Sequence, residues 1–280
     1  MAEKDKSICA VTAAMTGGPG LNEFSQKFSD RFFDVGIAEA HAVTFSSALA
    51  KGGLKPYFAV YSSFLQRSYD QIIHDAAIAS LPLRLLVDRA GLVGEDGKTH
   101  HGLFDLSFLS SLPGMTVYSP ASFDELENTI KNTAEIHSPV AGRYGRGSEA
   151  KKDVFPYTGE DFDVIKQGND TVLLTFGRLS FDALDAAEDT GCTFIKLNKV
   201  YPVSDDLITL LSKYKKVSIF EEGIRSGGIG EKIISRLALA GFCGKVTLNA
   251  VNDDFVETAD LSSQLKKCGL CKDTMIGVIS

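Results

Sequence analysis

Short continuous apolar runs alternate with amphipathic stretches along most of the chain. Ser7–Met15 (SICAVTAAM) is apolar and runs into Gly17-Gly18-Pro19-Gly20, the pattern of a buried strand and its exit turn. A short helix is predicted over Leu21–Phe28 and a short strand over Arg31–Val35. Ala38–Lys51 places Val43, Leu49 and several alanines on a packing face and is stopped by Gly52-Gly53, so it reads as a helix. Further strands are predicted at Lys55–Tyr61, Leu83–Asp88, Met115–Tyr118 and Pro139–Tyr144, with helices at Ser68–Ala79 and within Pro120–Glu135. Leu83–Asp88 (LRLLVD) has almost no polar alternation, as a strand covered on both faces requires.

The rhythm breaks at Lys151–Asp170, which is charged, holds Pro156 and Gly159, and has little helical period. It then resumes, with strands at Thr171–Phe176, Cys192–Leu197, Lys216–Glu221 and Lys245–Asn249. Helices fall at Ser180–Asp189, Asp205–Tyr214, Glu231–Ala240 and Leu261–Lys267. Strand–helix alternation with short connections implies βαβ units and parallel sheets with helices on their faces. The expected fold class is therefore α/β, with two consecutive parallel-sheet βαβ domains over residues 1–150 and 164–280, joined by a linker over 151–163.

Composition narrows the class of function. In 280 residues, 44% are hydrophobic and 23% charged, an ordinary globular balance. With 29 basic and 36 acidic side chains the net charge is -7, which argues against a nucleic-acid partner. No run is long and apolar enough for a membrane span, and the start is polar, so a cytoplasmic chain is expected. Five cysteines, an odd and scattered set, read as reduced thiols. Cys268 and Cys271 stand alone as a C-x-x-C and are expected to be helix-end residues.

In parallel sheets, chemistry collects in the loops after the carboxyl ends of strands. Four such loops carry it here. In Asp34–His41, Glu39 opens a helix, where an acid is favoured by the helix dipole alone. Tyr61–Arg67 puts a phenol, Phe64 and Arg67 together. Asp88–Phe104 (DRAGLVGEDGKTHHGLF) is Gly-rich and long for its place, which favours function. It holds Asp96, His100 and His101. Two adjacent histidines in such a loop are expected outside the core, suited to proton transfer or hydrogen bonding; their spacing is poor for zinc. Arg143-Tyr144-Gly145-Arg146-Gly147 offers guanidinium forks to a phosphate or carboxylate. In the second half, Glu221-Glu222-Gly223 and Ser226-Gly227-Gly228 resemble a phosphate-binding glycine loop only weakly. The residues together suit an anionic, phosphorylated small molecule and do not name a reaction.

Several stretches carry a family resemblance: DRFFDVGIAEAHAVTFSSALAKGG, YSSFLQRSYDQIIHDAAI, DRAGLVGEDGKTHHGLFDLSFL, RYGRG, VYPVSDD and FEEGIRSGGIG. They resemble the thiamine-diphosphate enzymes of the transketolase superfamily, and within it the deoxyxylulose-phosphate synthases. The resemblance covers nearly the whole chain. It implies a pyrimidine-binding domain followed by a transketolase C-terminal domain. The implied activity is a decarboxylative condensation of pyruvate with D-glyceraldehyde 3-phosphate, carried by thiamine diphosphate. Glu39 would bind the ring nitrogen of the aminopyrimidine and Phe64 would lie against the ring. Arg67 and Arg146 would hold the acceptor phosphate, while Tyr61, Asp96 and His100 would contact the acceptor and guide protons. His100 matches the family position better than His101, and Arg146 better than Arg143.

The superfamily's metal motif, Gly-Asp-Gly followed later by Asn, is not found. Glu95-Asp96-Gly97 has Glu for the first Gly and lies in another loop. The magnesium ligands and the diphosphate site are therefore expected in an N-terminal domain outside this chain, and the chain is expected to bind the pyrimidine half alone. A homodimer, a separate diphosphate-binding domain, or both are the implied partners. The alternatives are a split transketolase C-terminal subunit, a 2-oxoacid dehydrogenase beta-like subunit, or a non-catalytic subunit that kept the fold.

Overall fold

The computed structural model describes residues 1–280. The first half contains β1 (Ile8–Thr12), α1 (Asn22–Lys27), β2 (Phe32–Asp34), α2 (Glu39–Lys51), β3 (Lys55–Tyr61), α3 (Ser62–Leu65) and α4 (Tyr69–Gln71). It continues through β4 (Arg84–Asp88), α5 (Asp105–Leu109), β5 (Thr116–Tyr118), α6 (Phe123–Thr133) and β6 (Val140–Arg143). The second half contains β7 (Phe162–Lys166), β8 (Thr171–Phe176), α7 (Leu179–Thr190), β9 (Thr193–Leu197), β10 (Lys199–Tyr201), α8 (Asp205–Leu211) and β11 (Lys216–Ile224). It closes with α9 (Ile229–Leu239), β12 (Lys245–Val251), α10 (Leu261–Lys267) and α11 (Lys272–Ile279).

The strands form two sheets, with orders β10-β5-β6-β4-β3-β1-β2 and β12-β11-β8-β9-β7. The interior pairings are parallel, as buried Val, Ile, Leu and Phe runs favour. Each sheet also has one antiparallel edge, which the uniform parallel expectation did not include. At one edge β7 pairs with β9. At the other, the chain leaves β9 through Asn198 and crosses to the first sheet, where Lys199 and Tyr201 pair with Tyr118 and Val117. Three residues have too little pattern to reveal such a crossing.

The segment Ser62–Ala77 is irregular. Helix begins directly at the end of β3, tightens to a 3₁₀ turn at Gln66–Ser68, and widens to a π turn at Ile72–Ala77. A helix expected only from Ser68 thus starts six residues earlier. No side chain caps its start, so the sequence lacks the usual signal.

A cluster of 34 buried residues spans both sheets, from Val11, Phe58 and Val87 to Leu174, Ile195 and Ile219. A second cluster of 18 packs β8, β9 and β11 against α7 and α11. It includes Phe155, from the charged segment between the halves, with its ring 5.0 Å from that of Phe181. Leu92 and Leu103, at the two ends of the Gly-rich loop, also belong to it. The five cysteines are all free; Cys268 ends α10 and Cys271 precedes α11. No helix is long and apolar enough to cross a membrane.

Candidate functional site

The loops after β2, β3, β4 and β6 all leave the carboxyl ends of parallel strands in the first sheet, so the topology gathers them at one edge. Asp34 organises the first of them. Its carboxylate accepts from Ala14 N at 2.8 Å, Gly36 N at 3.0 Å and Thr16 Oγ1 at 3.1 Å.

Glu39 opens α2 and is 3% exposed. Arg67 Nη1 donates to its Oε1 at 2.7 Å, and the Arg67 guanidinium lies 4.7 Å over the Phe64 ring. Tyr61 stacks on Phe64 with ring centres 5.8 Å apart, and the His100 ring meets Phe64 edge-on at 5.3 Å. His100 Nδ1 is shared with Thr99 Oγ1 at 2.8 Å. Tyr61 also packs against Gly18, where any Cβ would overlap its hydroxyl. Glu39, Arg67, Phe64, Tyr61 and His100 thus form one connected group.

Arg89 extends that group. Its guanidinium carbon stands 3.7 Å from the Tyr61 ring centre, and its Nη1 pairs with Asp88 Oδ2 at 2.6 Å. Arg89 takes a left-handed backbone (φ +59°) while Asp88 Oδ1 accepts its N–H at 2.6 Å. Burial pushes the Asp88 carboxyl above the usual carboxylate range, against the pull of Arg89. Asp96 pairs with Arg146 Nη1 at 2.6 Å. Arg89, Arg146 and Arg178 line a cavity of about 350 Å³ together with Gly18, Tyr144 and Glu149. Arg67 does not line it. Arg89 and Arg178 were not singled out from the sequence. Arg89 sits beside a strand end in the very loop that drew attention, which is the signal that could have found it. Arg178 precedes α7 in the second half and enters only through tertiary packing.

Two expectations change. His101 is a buried residue, 4% exposed: its Nδ1 accepts from Val93 N and its Nε2 donates to Val256 O, both at 3.2 Å. Burial lowers its pKa. The loop folds against the second half, so a position that looks solvent-facing in sequence is enclosed. Arg143 is also buried, with Nε donating to Asp105 Oδ2 at 2.9 Å and Nη2 to Glu222 O at 3.2 Å. It joins the halves and has no free face for a ligand.

The glycine-rich turn before α9 has no free N–H groups at Ile229 and Gly230 for an anion. Glu221 fills that helix end itself, accepting from Ile229 N at 3.0 Å and Gly230 N at 2.7 Å. Complete burial pushes its carboxyl up to about 7, opposed by these two N–H groups and by Arg143.

A buried carboxylate joined to an aromatic face through one guanidinium, at the carboxyl edge of a parallel sheet in a two-unit α/β chain, defines a class. The chain belongs to the transketolase family. Residues 1–149 match the transketolase pyrimidine binding domain and residues 160–275 the transketolase C-terminal domain.

Within that family it is similar to 1-deoxy-D-xylulose-5-phosphate synthases. It is 42% identical to that of Clostridium perfringens over 268 residues, covering 92% of this chain and 43% of that protein. It is 42% identical to that of Caldanaerobacter subterraneus over 291 residues, covering 100% of this chain and 46% of that protein. The chain thus spans less than half the length of these relatives. Among solved structures, a chain described as split gene transketolase, inactive beta4 tetramer, superposes with a TM-score of 0.86 at 24% identity, covering 99% of this chain and 92% of that one. Transketolase from Campylobacter jejuni gives 0.81 at 18% identity, with 99% and 44% covered.

Proposed function

We propose that this chain is the pyrimidine-binding and C-terminal portion of a 1-deoxy-D-xylulose-5-phosphate synthase, working with a diphosphate-binding domain that completes the cofactor site. The observation that carries the reading is Glu39, a nearly buried carboxylate bonded to the same Arg67 guanidinium that lies over the Phe64 ring. In this reading the two-domain division falls across residues 151–163. The likeness to a split-gene transketolase of nearly the same extent supports a chain that acts with a partner.

The residues present fit an aminopyrimidine. Arg67 shows what the pocket accepts: a flat N–H donor, bonded to Glu39 and laid on Phe64. Arg67 is half exposed and is free to yield those two contacts. Glu39 would hold the ring nitrogen and Phe64 the ring face. When bound, thiamine diphosphate supplies the carbanion chemistry that couples decarboxylation of pyruvate to carbon–carbon bond formation.

This chain's residues then hold the acceptor. Each arginine of the cavity is balanced by a carboxylate. The donors left for a phosphate are those of Arg89 not spent on Asp88, and those of Arg146, which spends only Nη1. We therefore place the phosphate of D-glyceraldehyde 3-phosphate on Arg89 and Arg146, and give Arg67 to the pyrimidine end. Tyr61 lies between the two ends and orients the acceptor. His100, with Nδ1 engaged by Thr99, presents Nε2 for proton transfer, and Asp96 fixes Arg146.

The test is formation of 1-deoxy-D-xylulose 5-phosphate from pyruvate and D-glyceraldehyde 3-phosphate, with thiamine diphosphate and magnesium. The chain is assayed alone and with a separately produced diphosphate-binding domain. Product only in the mixture is the expected result. Product from the chain alone would overturn the need for a partner. An acyl-lipoyl product or exchanged sugar phosphates from the mixture would move the assignment to another member of the superfamily.

A further inference from the structure

Arg178, just before α7, and Glu222, in β11, lie in the second half, yet most of their hydrogen bonds reach loops of the first. Arg178 Nε donates to Glu222 Oε2 at 2.8 Å, and Nη2 donates to Glu222 Oε1 and to Leu92 O, both at 2.5 Å. Nη1 reaches Arg146 O at 3.3 Å. Glu222 Oε1 also accepts from Leu92 N at 2.8 Å. One ion pair therefore holds both backbone groups of Leu92 and the carbonyl of Arg146. Those residues sit in the two loops that present Arg89 and Arg146 to the cavity.

The backbone is shaped to admit the pair. A Cβ on Gly91, where φ is +86°, would lie 2.5 Å from the Glu222 carboxyl carbon. A Cβ on Gly145 would lie 3.1 Å from the Arg178 guanidinium carbon. Arg178 lines the cavity, but four of its five N–H groups are spent. Its charge is matched by Glu222, as that of Arg89 is by Asp88 and that of Arg146 by Asp96. With the charges balanced, attraction for an anion depends on where the free N–H groups of Arg89 and Arg146 point.

We infer that the Arg178–Glu222 pair is a positioning device: from the C-terminal half it sets the two arginine-bearing loops, and so governs phosphate affinity without touching the phosphate. The inference rests on the phosphate reading of the cavity given above.

The test titrates the full chain with inorganic phosphate at constant ionic strength, following the amide resonances of Gly145 and Gly147. Wild type should show saturable binding. Arg178→Met should weaken it by at least about tenfold, the scale of one lost charge-assisted hydrogen bond. Arg178→Lys should not restore it, because one ammonium cannot hold three separated acceptors in a plane. Glu222→Gln should weaken it too, and it carries the test if Arg178→Met does not fold. Arg84→Met is the control for general destabilisation. Arg84 begins β4, at the opposite end of that strand from Asp88, and bonds the carbonyls of Thr133, Ala134 and Ile136. It should lower the melting temperature and leave phosphate affinity intact.

Undiminished affinity in both Arg178→Met and Glu222→Gln would overturn the positioning role while leaving the phosphate site standing. An equal loss in Arg84→Met would overturn it as well, by assigning the effect to general loosening. Absence of phosphate binding in wild type would remove the phosphate reading itself, and the inference with it.

Discussion

From its residue type and place alone Glu39 is a helix-start acid that the dipole would explain; in the fold it is a nearly buried carboxylate. An acid in a first turn needs no function when exposed, because the helix dipole favours it there. Buried, it needs a partner, and Arg67 supplies one. Glu39→Gln keeps size and packing and removes the charge. In the reconstituted pair it should cut product formation by about 10²–10⁴-fold, the usual worth of a positioned acid–base group. Circular dichroism should show an unchanged fold. Activity retained within a factor of two would remove Glu39 from the chemistry. The two histidines show how neighbours separate: His100 faces the Phe64 ring, while His101 is bonded into the backbone of both halves. Nothing in the dipeptide distinguishes them by burial, since burial comes from residues more than a hundred positions away.

At the scale of elements, the Gly-rich loop Asp88–Phe104 was legible as special from its length and glycines. Its support was not. Gln264 of α10 donates to Gly94 O and accepts from Gly94 N, and Glu222 of β11 takes Leu92 N. The loop is thus fixed by side chains of another unit.

The turn from β11 into α9 is the converse case. It looked faintly like an anion site and is closed by its own Glu221. Because the folded-state pKa of Glu221 is raised, the folded chain holds a proton there that the unfolded chain releases. Stability from this group is therefore present at low pH and is lost as pH rises from about 4.5 toward about 7. The span corresponds to roughly 3 kcal/mol. Buried His101 acts with the opposite slope, its lowered pKa costing stability as pH falls. The useful measurement is thus a difference. The melting temperature of wild type relative to Glu221→Gln should increase between pH 8 and pH 5. A flat difference would mean the carboxylate stays ionised throughout.

For the whole molecule, the two halves share a core, a β-strand crossing and a buried ion pair. Lys196 of β9, 1% exposed, meets Glu125 of α6 at 2.5 Å and also bonds Asn198. Removing one partner of such a pair leaves the other charge buried and alone. Lys196→Met should therefore cost about 3–5 kcal/mol, read by denaturant unfolding with both halves lost in one transition. Two separate transitions would show that the halves fold independently.

The α/β class, the run of the parallel strands with their main helices, and the loops worth watching were determined by sequence alone. Hydrophobic period and glycine placement are local properties, and they survive without knowledge of distant contacts. Tertiary structure decided the rest. It added the antiparallel edges β7 and β10, buried His101 and Arg143, brought Arg89 under Tyr61, and tied the site to Arg178 and Glu222. Each of these depends on a group far along the chain that satisfies a charge or a backbone dipole, and such pairings leave no periodic trace in the residues that make them.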